Sequence, residues 1–351
     1  MLRTQSHNQF LVFSLYSLCL SFVLGILVIR EMNTPLIYAE TQYLTPIHIK
    51  NTKILVFGDM MLDRAVRQKI NENGPEYPFL QIKDYILNND IVVANAEGSF
   101  TFFDSVTVGK KGAPLNFTFD PLMLSTLKDV GFTLLGQANN HTLNFGIKGF
   151  EQSTTSITLA GLNYFGDPQN KDIKPYIKEI NGEKIGFVAY NEFSYQGKDN
   201  VIKAIQETRK QTSYLIVYPH WGVEYNQSFT QAQQKLAHEF IDAGADVVIG
   251  MHPHVIEPIE IYNGKPIFYS VGNFIFDQAQ TGPMTEGLAI KILLNKKYVT
   301  YEINPISITR SQASLMGATS TQIILNSLSE NSVANIDIKQ ALISGIIKTE
   351  R

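Results

Sequence analysis

Residues 52–64 read TKILVFGDMMLDR and contain a strong strand pattern that ends in a loop. Its apolar run at 53–57 has the length and the continuous hydrophobicity of a strand that is buried on both faces of a sheet. Gly58 and Asp59 end the run and mark the start of a loop. Because similar runs alternate with helical patterns further along the chain, the sequence predicts a mixed α/β domain whose sheets are covered by helices.

That alternation continues to about residue 306. The sequence predicts strands at 90–94, 132–135, 214–218, 246–249, 267–276 and 287–306, and helices at 77–87, 121–130, 149–160 and 231–243. Asn181-Gly182 and Asn263-Gly264 lie between β-type runs and predict tight hairpins, hence an antiparallel part. We therefore predict one domain at 52–310, followed at 311–351 by a polar extension that is helical or partly disordered.

The N-terminal part contains a long apolar segment. Residues 10–29 read FLVFSLYSLCLSFVLGILVI, without a charge, and a helix of that length spans about 30 Å, as a bilayer core requires. A cleaved signal peptide is the alternative, but its apolar region is typically shorter. We predict a cytoplasmic tail at 1–9, an uncleaved transmembrane signal anchor at 10–29 and a stalk at 30–51. This single-pass topology places the N-terminus inside and the domain outside the cytoplasm, at the cell membrane.

Composition excludes several classes of protein. The chain has 351 residues, of which 44% are hydrophobic, so global disorder is excluded. The net charge of −3 shows no basic excess, and we expect no nucleic-acid partner. Cys19 is the single cysteine, so the chain cannot form an internal disulfide.

Polar side chains follow five of the predicted strands, at the ends where open α/β sheets place their sites. Each of these loops supplies at least one residue that can bind a metal or move a proton. Four of the seven histidines lie there, which is a concentration that chance placement does not explain. The residues are Asp59, Glu97, Asn140, His141, His220, His252 and His254.

His252 and His254 form the core of the predicted metal site. They are two residues apart, so a locally extended backbone would place both rings on the same side. Pro253 between them stiffens the loop and favours extended geometry at His252. Two imidazoles spaced in this way could share one ion or reach two neighbouring ions.

Oxygen ligands complete the prediction. Glu97 could bridge two cations, Asp59 could hold one, and Asn140 offers a neutral carbonyl oxygen. Mixed nitrogen and oxygen ligation without a thiolate suits one or two ions of Mn, Zn, Fe or Mg. His141 lies beside a candidate ligand and is placed to act as a proton donor.

Two further residues have alternative interpretations. Arg64 could bind an anionic substrate with two parallel hydrogen bonds, or it could pair with Asp63 or Glu97. Asn273 follows a glycine and could either occupy a left-handed turn position or line the site.

The loop after the strand at 214–218 carries another pair of polar residues. Glu224 and Tyr225 could orient His220 or act directly in catalysis, and we favour the first interpretation. Asn95 and Asn139, which also follow strands, are candidates for supporting the ligands or contacting substrate.

Six blocks of the sequence, in this order, resemble the CapA family of poly-γ-glutamate capsule biosynthesis proteins. The blocks are Gly58-Asp59-x-Met61-x-x-Arg64, Asn95-x-Glu97, Asn139-Asn140-His141, His220-Trp221-Gly222-x-Glu224-Tyr225, His252-Pro253-His254-Val255 and Ser270-x-Gly272-Asn273-Phe274-x-Phe276. They span about residues 52–295. Because the family is related to the calcineurin-like metallophosphoesterases, the resemblance implies a four-layer α/β/β/α sandwich.

The resemblance also implies roles for the site residues. It assigns Asp59 and His254 to a first metal, Glu97 to a bridge, Asn140, His220 and His252 to a second metal, and His141 to acid catalysis. The sequence departs from the pattern at three positions. Met61 stands where the superfamily has a ligating histidine, Glu97 where it favours aspartate, and Asn144 where the family often has aspartate.

The predicted function is membrane-anchored capsule or poly-γ-glutamate biosynthesis or export. A metal-dependent hydrolase or transferase site would act on an anionic envelope polymer such as poly-γ-glutamate. Membrane-embedded capsule synthesis and export proteins would be its partners. The alternatives are a non-catalytic scaffold that binds polymer during export, and a metal-dependent phosphoesterase.

Overall fold

The structure is a computed structural model that describes residues 51–110, 115–194, 196–278 and 281–351. The predicted tail, the predicted anchor and all but the last residue of the predicted stalk lie outside the described residues. Within the described ranges, no helix has the length and apolar character that crossing a membrane requires.

The described residues form a mixed α/β fold, which confirms the predicted class. The strands are β1 Thr52–Met60, β2 Ile91–Ala96, β3 Ser99–Phe100, β4 Thr118–Phe119, β5 Leu134–Gly136, β6 Asn163–Phe165, β7 Tyr176–Ile180, β8 Glu183–Asn191, β9 Tyr214–His220, β10 Val247–Ile249, β11 Ile259–Tyr262, β12 Lys265–Phe268, β13 Asn273–Ile275, β14 Glu286–Leu294, β15 Tyr298–Thr309, β16 Gln312–Leu315 and β17 Ile346–Glu350. The α-helices are α1 Arg64–Asn73, α2 Lys83–Leu87, α3 Met123–Val130, α4 Gly146–Leu159, α5 Lys198–Arg209, α6 Gln231–Asp242, α7 Ala318–Asn331 and α8 Ile336–Ile343.

Two large sheets carry the fold. The first runs in the order β16-β15-β14-β1-β2-β5-β6, with β13 added to β1 and β17 added to β15. The second runs in the order β11-β12-β10-β9-β8-β7. The central pairs β1–β2, β2–β5, β8–β9 and β9–β10 are parallel, so within each sheet these strands have their carboxyl ends at the same edge.

The sheets pack face to face with helices on both outer sides. Alternate residues of β1 divide between two cores: Ile54 and Val56 face the second sheet, whereas Leu55 and Phe57 face α1 to α4. A third core lies between the second sheet and helices α5 and α6. Because every long strand near the centre is covered on both faces, the uninterrupted apolar runs in the sequence are explained.

Both predicted hairpins are confirmed. Asn181-Gly182 joins β7 to β8 and Asn263-Gly264 joins β11 to β12, in antiparallel pairs. Both residues of each pair have positive φ, between 49° and 79°, as the tightest hairpin turn requires.

Two segments differ from the prediction. The predicted helix at 77–87 begins with a separate short 3₁₀ turn at Tyr77–Phe79, and α2 starts only at Lys83, since the backbone between them forms the tighter bond from the Ile82 N–H to the Phe79 carbonyl. Residues 311–351 contain α7 and α8, and they also add β16 and β17 to the first sheet.

Replacing Gly58 by alanine should destabilise the domain. A Cβ atom at this position would lie inside van der Waals contact distance of the Gly272 carbonyl, because β13 crosses close to β1. We expect a loss of about 1–3 kcal/mol in the free energy of unfolding, measured by urea denaturation. Gly317→Ala is the control, since its φ of −67° is ordinary and the space beside it is open. Equal urea midpoints for the two variants would contradict the prediction.

Candidate metal centre

The predicted site residues meet where the two sheets present their strand ends. The first sheet supplies Asp59 from β1, Asn95 from β2 and the adjoining Glu97. The second sheet supplies His220, the last residue of β9, and the loop after β10 carries His252 and His254. All six side chains are buried.

Asp59 lies at the bottom of the centre and is fully buried. Asn95 Nδ2 donates to its Oδ1 at 2.8 Å, and the backbone N–H of His252 donates to its Oδ2 at 3.0 Å. Burial alone would raise the pKa of Asp59. The hydrogen bond from His254 and the attraction of the neighbouring histidines outweigh burial and hold that pKa at about 2. Asp59 is therefore an anion at neutral pH.

Glu97 is the most informative residue of the centre. It is 0% exposed, yet neither carboxylate oxygen has a hydrogen-bond partner in the described part of the chain. Its Oε1 lies 3.6 Å from Nε2 of His254, 3.8 Å from Nε2 of His141 and 3.9 Å from Nε2 of His220. Metal–ligand bonds of about 2.0–2.2 Å separate ligand atoms on one ion by distances of this order. The orphaned carboxylate and the surrounding imidazoles therefore fit a divalent metal ion.

Three overlapping sets of side chains could hold such an ion. Within each set, the ligand atoms lie within 4.8 Å of one another. The sets are Asp59, Glu97 and His254; Glu97, His220 and His252; and Glu224, His252 and His254. The donors are imidazole nitrogens and carboxylate oxygens, as expected for Mn, Zn or Fe.

His220 and His252 are present in the form that binds metals. The rings contact each other, with 3.1 Å between His252 Nδ1 and His220 Nε2, and Asn140 Oδ1 lies 2.9 Å from the same His220 nitrogen. Burial, together with the charge of neighbouring histidines, lowers the pKa of His220 well below its usual value and that of His252 to about 3. Both rings are therefore neutral at pH 7, with lone pairs available for coordination.

His254 has the opposite protonation state. Burial lowers its pKa, but the carboxylates of Glu97 and Asp59 outweigh burial and raise the pKa to about 9. Its Nδ1 lies 3.3 Å from Asp59 Oδ2 and 3.0 Å from Asn273 Oδ1. His254 is therefore protonated at neutral pH.

The backbone of the histidine loop differs from the extended geometry expected from the sequence. His252 has φ of 96° and His254 has φ of 59°, in a region that residues with a side chain rarely adopt. The reason is tertiary, since this turn points the His252 N–H at Asp59. Arg64 and Tyr225, at the same site, also have positive φ. Backbone strain of this kind is typical of functional sites.

Arg64 pairs with neither of the partners considered from the sequence. Its Nη2 lies 3.2 Å from Asp277 Oδ1, while the Asp63 oxygens accept from Ser105 Oγ and the Thr118 N–H. Arg64 lines a cavity of about 340 Å³ that opens onto the centre. The other lining residues that bear on the site are Glu97, His141, Glu224, Tyr225 and His254.

His141 lies on the wall of this cavity with one ring nitrogen fixed. Asn144 Oδ1 accepts the Phe117 N–H at 2.8 Å, so its contact of 3.0 Å with His141 Nδ1 makes that nitrogen a donor. The Nε2 atom is left to face Glu97. Burial lowers the pKa of His141, so at neutral pH its Nε2 is an acceptor, and it becomes a donor only after protonation.

Amide side chains hold the centre in place. Asn139 Nδ2 donates to Asn95 Oδ1 at 3.0 Å and thereby orients the amide that binds Asp59. Of the two interpretations of Asn273, the structure supports lining of the site, because Gly272 occupies the left-handed position with φ of 68°. Phe193 is not among the residues predicted from the sequence, and it packs on the His252 ring with 4.2 Å between centroids. It follows β8, a strand end that the sequence analysis did not consider.

Asn144→Asp should raise the pKa of His141 by about 1–3, because a carboxylate at the end of the Nδ1–H bond stabilises the imidazolium. The imidazolium should then persist to higher pH, as a histidine-specific NMR titration can measure. Asn163→Asp, at the exposed first position of β6, is the control and should leave the titration unchanged. A His141 titration that is the same in both variants and the wild type would contradict the prediction.

Comparison with known proteins gives consistent matches. The family described as bacterial capsule synthesis protein PGA_cap matches residues 53–278. The capsule biosynthesis protein CapA of Bacillus anthracis is 28% identical over 292 residues, which cover 77% of this chain and 71% of that protein. The PGA biosynthesis protein CapA of Bacillus subtilis (strain 168) is 32% identical over 268 residues, which cover 72% of this chain and 70% of that protein.

Solved structures give weaker matches. The NAD nucleotidase of Haemophilus influenzae aligns with a TM-score of 0.39 and 11% identity, and the alignment covers 84% of this chain and 59% of that one. Vps29 of Chaetomium thermophilum aligns with a TM-score of 0.33 and 9% identity, and the alignment covers 76% of this chain and 91% of that one. At these scores, neither similarity supports a conclusion about function.

Proposed function

Because the chain belongs to the bacterial capsule synthesis protein family PGA_cap, we propose that it is a metal-dependent hydrolase or transferase of an envelope polymer. The proposed substrate is an anionic polymer of the poly-γ-glutamate class, since one relative is named for PGA biosynthesis. The proposal includes a metallophosphoesterase-like α/β/β/α sandwich and an anchor at residues 10–29 that holds the domain outside the cytoplasm, next to membrane-embedded capsule synthesis or export proteins.

The orphaned carboxylate of Glu97 carries the proposal. A buried carboxylate without hydrogen bonds is expensive, and its cost is offset only by a cation or by protonation. Two neutral histidines and a second buried carboxylate surround the same point. A centre built only for stability would have satisfied these oxygens with the amide donors that lie nearby.

The residues of the cavity wall suit the proposed chemistry. A divalent ion in the centre would act as a Lewis acid toward an amide or phosphoryl oxygen. Arg64, oriented by Asp277, offers a guanidinium to a carboxylate of the polymer. His141 Nε2 can accept a proton from a nucleophile and deliver it to a leaving group, while Asn144 keeps the ring in place.

The double variant His220→Ala, His252→Ala tests the proposal. We expect the full chain, purified in mild detergent, to retain about one or two divalent ions per molecule by elemental analysis, and the double variant to lose them. His238→Ala is the matched control, because His238, on α6, pairs with Glu260 of β11 and is in none of the candidate ligand sets. Unchanged metal content in the double variant would refute the proposal.

The same variants separate catalysis from a purely structural role. In cells whose capsule production depends on this chain, the double variant should fail to restore polymer, whereas His238→Ala should restore it. Full restoration by the double variant would favour a non-catalytic export scaffold. Hydrolysis of small phosphoesters by the wild type, and not by the double variant, would favour a phosphoesterase.

A further inference from the structure

We infer that Glu224 is itself a metal ligand, which binds a divalent ion together with His252 and His254 at the open rim of the centre. The inference rests on the proposed metal dependence and extends it to a residue that the sequence analysis placed in a supporting role. Glu224 would differ from the other two ligands in its exposure, since Glu224 is exposed whereas both histidines are buried.

The ligand atoms are close enough to share an ion. One oxygen of Glu224, one nitrogen of His252 and one nitrogen of His254 lie within 4.8 Å of one another. The two histidines also belong to the two ligand sets that contain only buried residues, so the ion bound by Glu224 would lie next to those sets, on the solvent side. Two imidazoles and one carboxylate form a three-ligand site that leaves coordination positions open toward the cavity.

Backbone hydrogen bonds fix Glu224 beside the histidine loop. Tyr225 N–H donates to the carbonyl of Pro253, between the two histidines, at 2.7 Å. On the other side of Glu224, Trp221 N–H donates to the carbonyl of Met251 at 3.1 Å. The loop that carries Glu224 is therefore joined to the loop that carries both histidines at two points, and the ligand positions are preorganised.

Orientation of His220 does not account for this placement. The Nδ1 atom of His220 contacts Asn95 and its Nε2 atom contacts Asn140 and His252, so both ring nitrogens already have neighbours other than Glu224. Arg64, the cation on the same cavity wall, forms its ion pair with Asp277. The unpartnered oxygens of Glu97 provide an independent indication that a cation belongs in this centre.

The test uses the full chain in mild detergent and Mn²⁺ as the probe. Glu224→Gln keeps the size of the side chain and removes the charge, whereas Glu224→His supplies a neutral ligand atom. Glu192→Gln is the matched control, because it removes a nearby carboxylate that is in no candidate ligand set and that accepts the Gly222 N–H. Calorimetry gives stoichiometry and affinity, and electron paramagnetic resonance reports the environment of the bound Mn²⁺.

We expect Glu224→Gln to bind one Mn²⁺ fewer than the wild type, with a changed resonance spectrum of the Mn²⁺ that remains. Glu224→His should retain most of the affinity, and Glu192→Gln should match the wild type. Suppose that Glu224→Gln binds Mn²⁺ as the wild type does, while the His220→Ala, His252→Ala variant loses its Mn²⁺. That result would overturn this inference and leave the proposed function standing. Equal weakening by Glu224→Gln, Glu224→His and Glu192→Gln would assign the effect to charge and also overturn it. A wild-type chain that binds no metal would overturn the inference and the proposed function together.

Discussion

Glu97→Gln should stabilise the metal-free protein and abolish the stabilisation that metal gives the wild type. In the metal-free state, glutamine replaces a buried carboxyl that must either bind a proton or carry a charge, and whose oxygens have no hydrogen-bond partner in the described residues. Relief of one unsatisfied buried group corresponds to about 1–3 kcal/mol. At a metal concentration about 1,000 times its Kd the wild type should become the more stable protein, because it then gains about 4.1 kcal/mol and the variant gains little.

Thermal unfolding with and without added Mn²⁺ measures both halves of this prediction. Glu257→Gln is a closely matched control, since Glu257 is also buried with one unpartnered oxygen but lies outside the candidate ligand sets. Without metal, Glu257→Gln should be stabilised as Glu97→Gln is. On addition of Mn²⁺, it should gain as much stability as the wild type gains. A Glu97→Gln variant that melts lower than the wild type without metal, or that keeps the full metal response, would contradict the prediction.

Metal affinity should rise steeply with pH. His254 has a pKa raised to about 9 in the metal-free protein, so it is protonated at pH 7 and must lose that proton before it can coordinate. Burial also raises the pKa of Glu97 well above its usual value, so Glu97 is a second group that can hold a proton in the metal-free centre. His220, His252 and Asp59 contribute no further protons at neutral pH, because the two rings are already neutral and Asp59 is ionised.

The expected slope is therefore at least tenfold in affinity per pH unit, from about pH 6 to about pH 9, with a plateau above. Calorimetry in buffers of different ionisation enthalpy counts the released protons directly and should give one or more per chain. His254→Gln should reduce this number, whereas His238→Ala should not. An affinity that stays constant between pH 6 and pH 8 would show that the ligands are not protonated before binding.

The clustering of these side chains could be predicted from the sequence because the order of strands in a sheet decides which strand ends are neighbours. Asp59 and Glu97 lie at the ends of two paired parallel strands, β1 and β2, and His220 ends β9 of the second sheet, which packs against the first. The resemblance to a known family then added roles for these residues. Residue types at strand ends were therefore sufficient to assemble the candidate ligand sets.

The local geometry could not be predicted because distant residues determine it. Proline rules favoured an extended His252, but a hydrogen bond to Asp59 turns that backbone to positive φ. The ion-pair partner of Arg64 is Asp277, which is more than 200 residues away and carries no sequence signal that links the two. The position of Glu224 likewise depends on backbone bonds between two loops.

The place of β1 in the first sheet has a consequence for how the chain is made. β1 lies between β2 and β14, so Thr52, near the start of the domain, faces Leu294 across the sheet. At about 5–20 residues per second, a ribosome needs on the order of 10–50 s to synthesise the segment between them. During that time one apolar edge of the central strand has no partner and is open to pairing with other chains. A holding chaperone that covers this edge during synthesis should therefore raise the yield of folded protein.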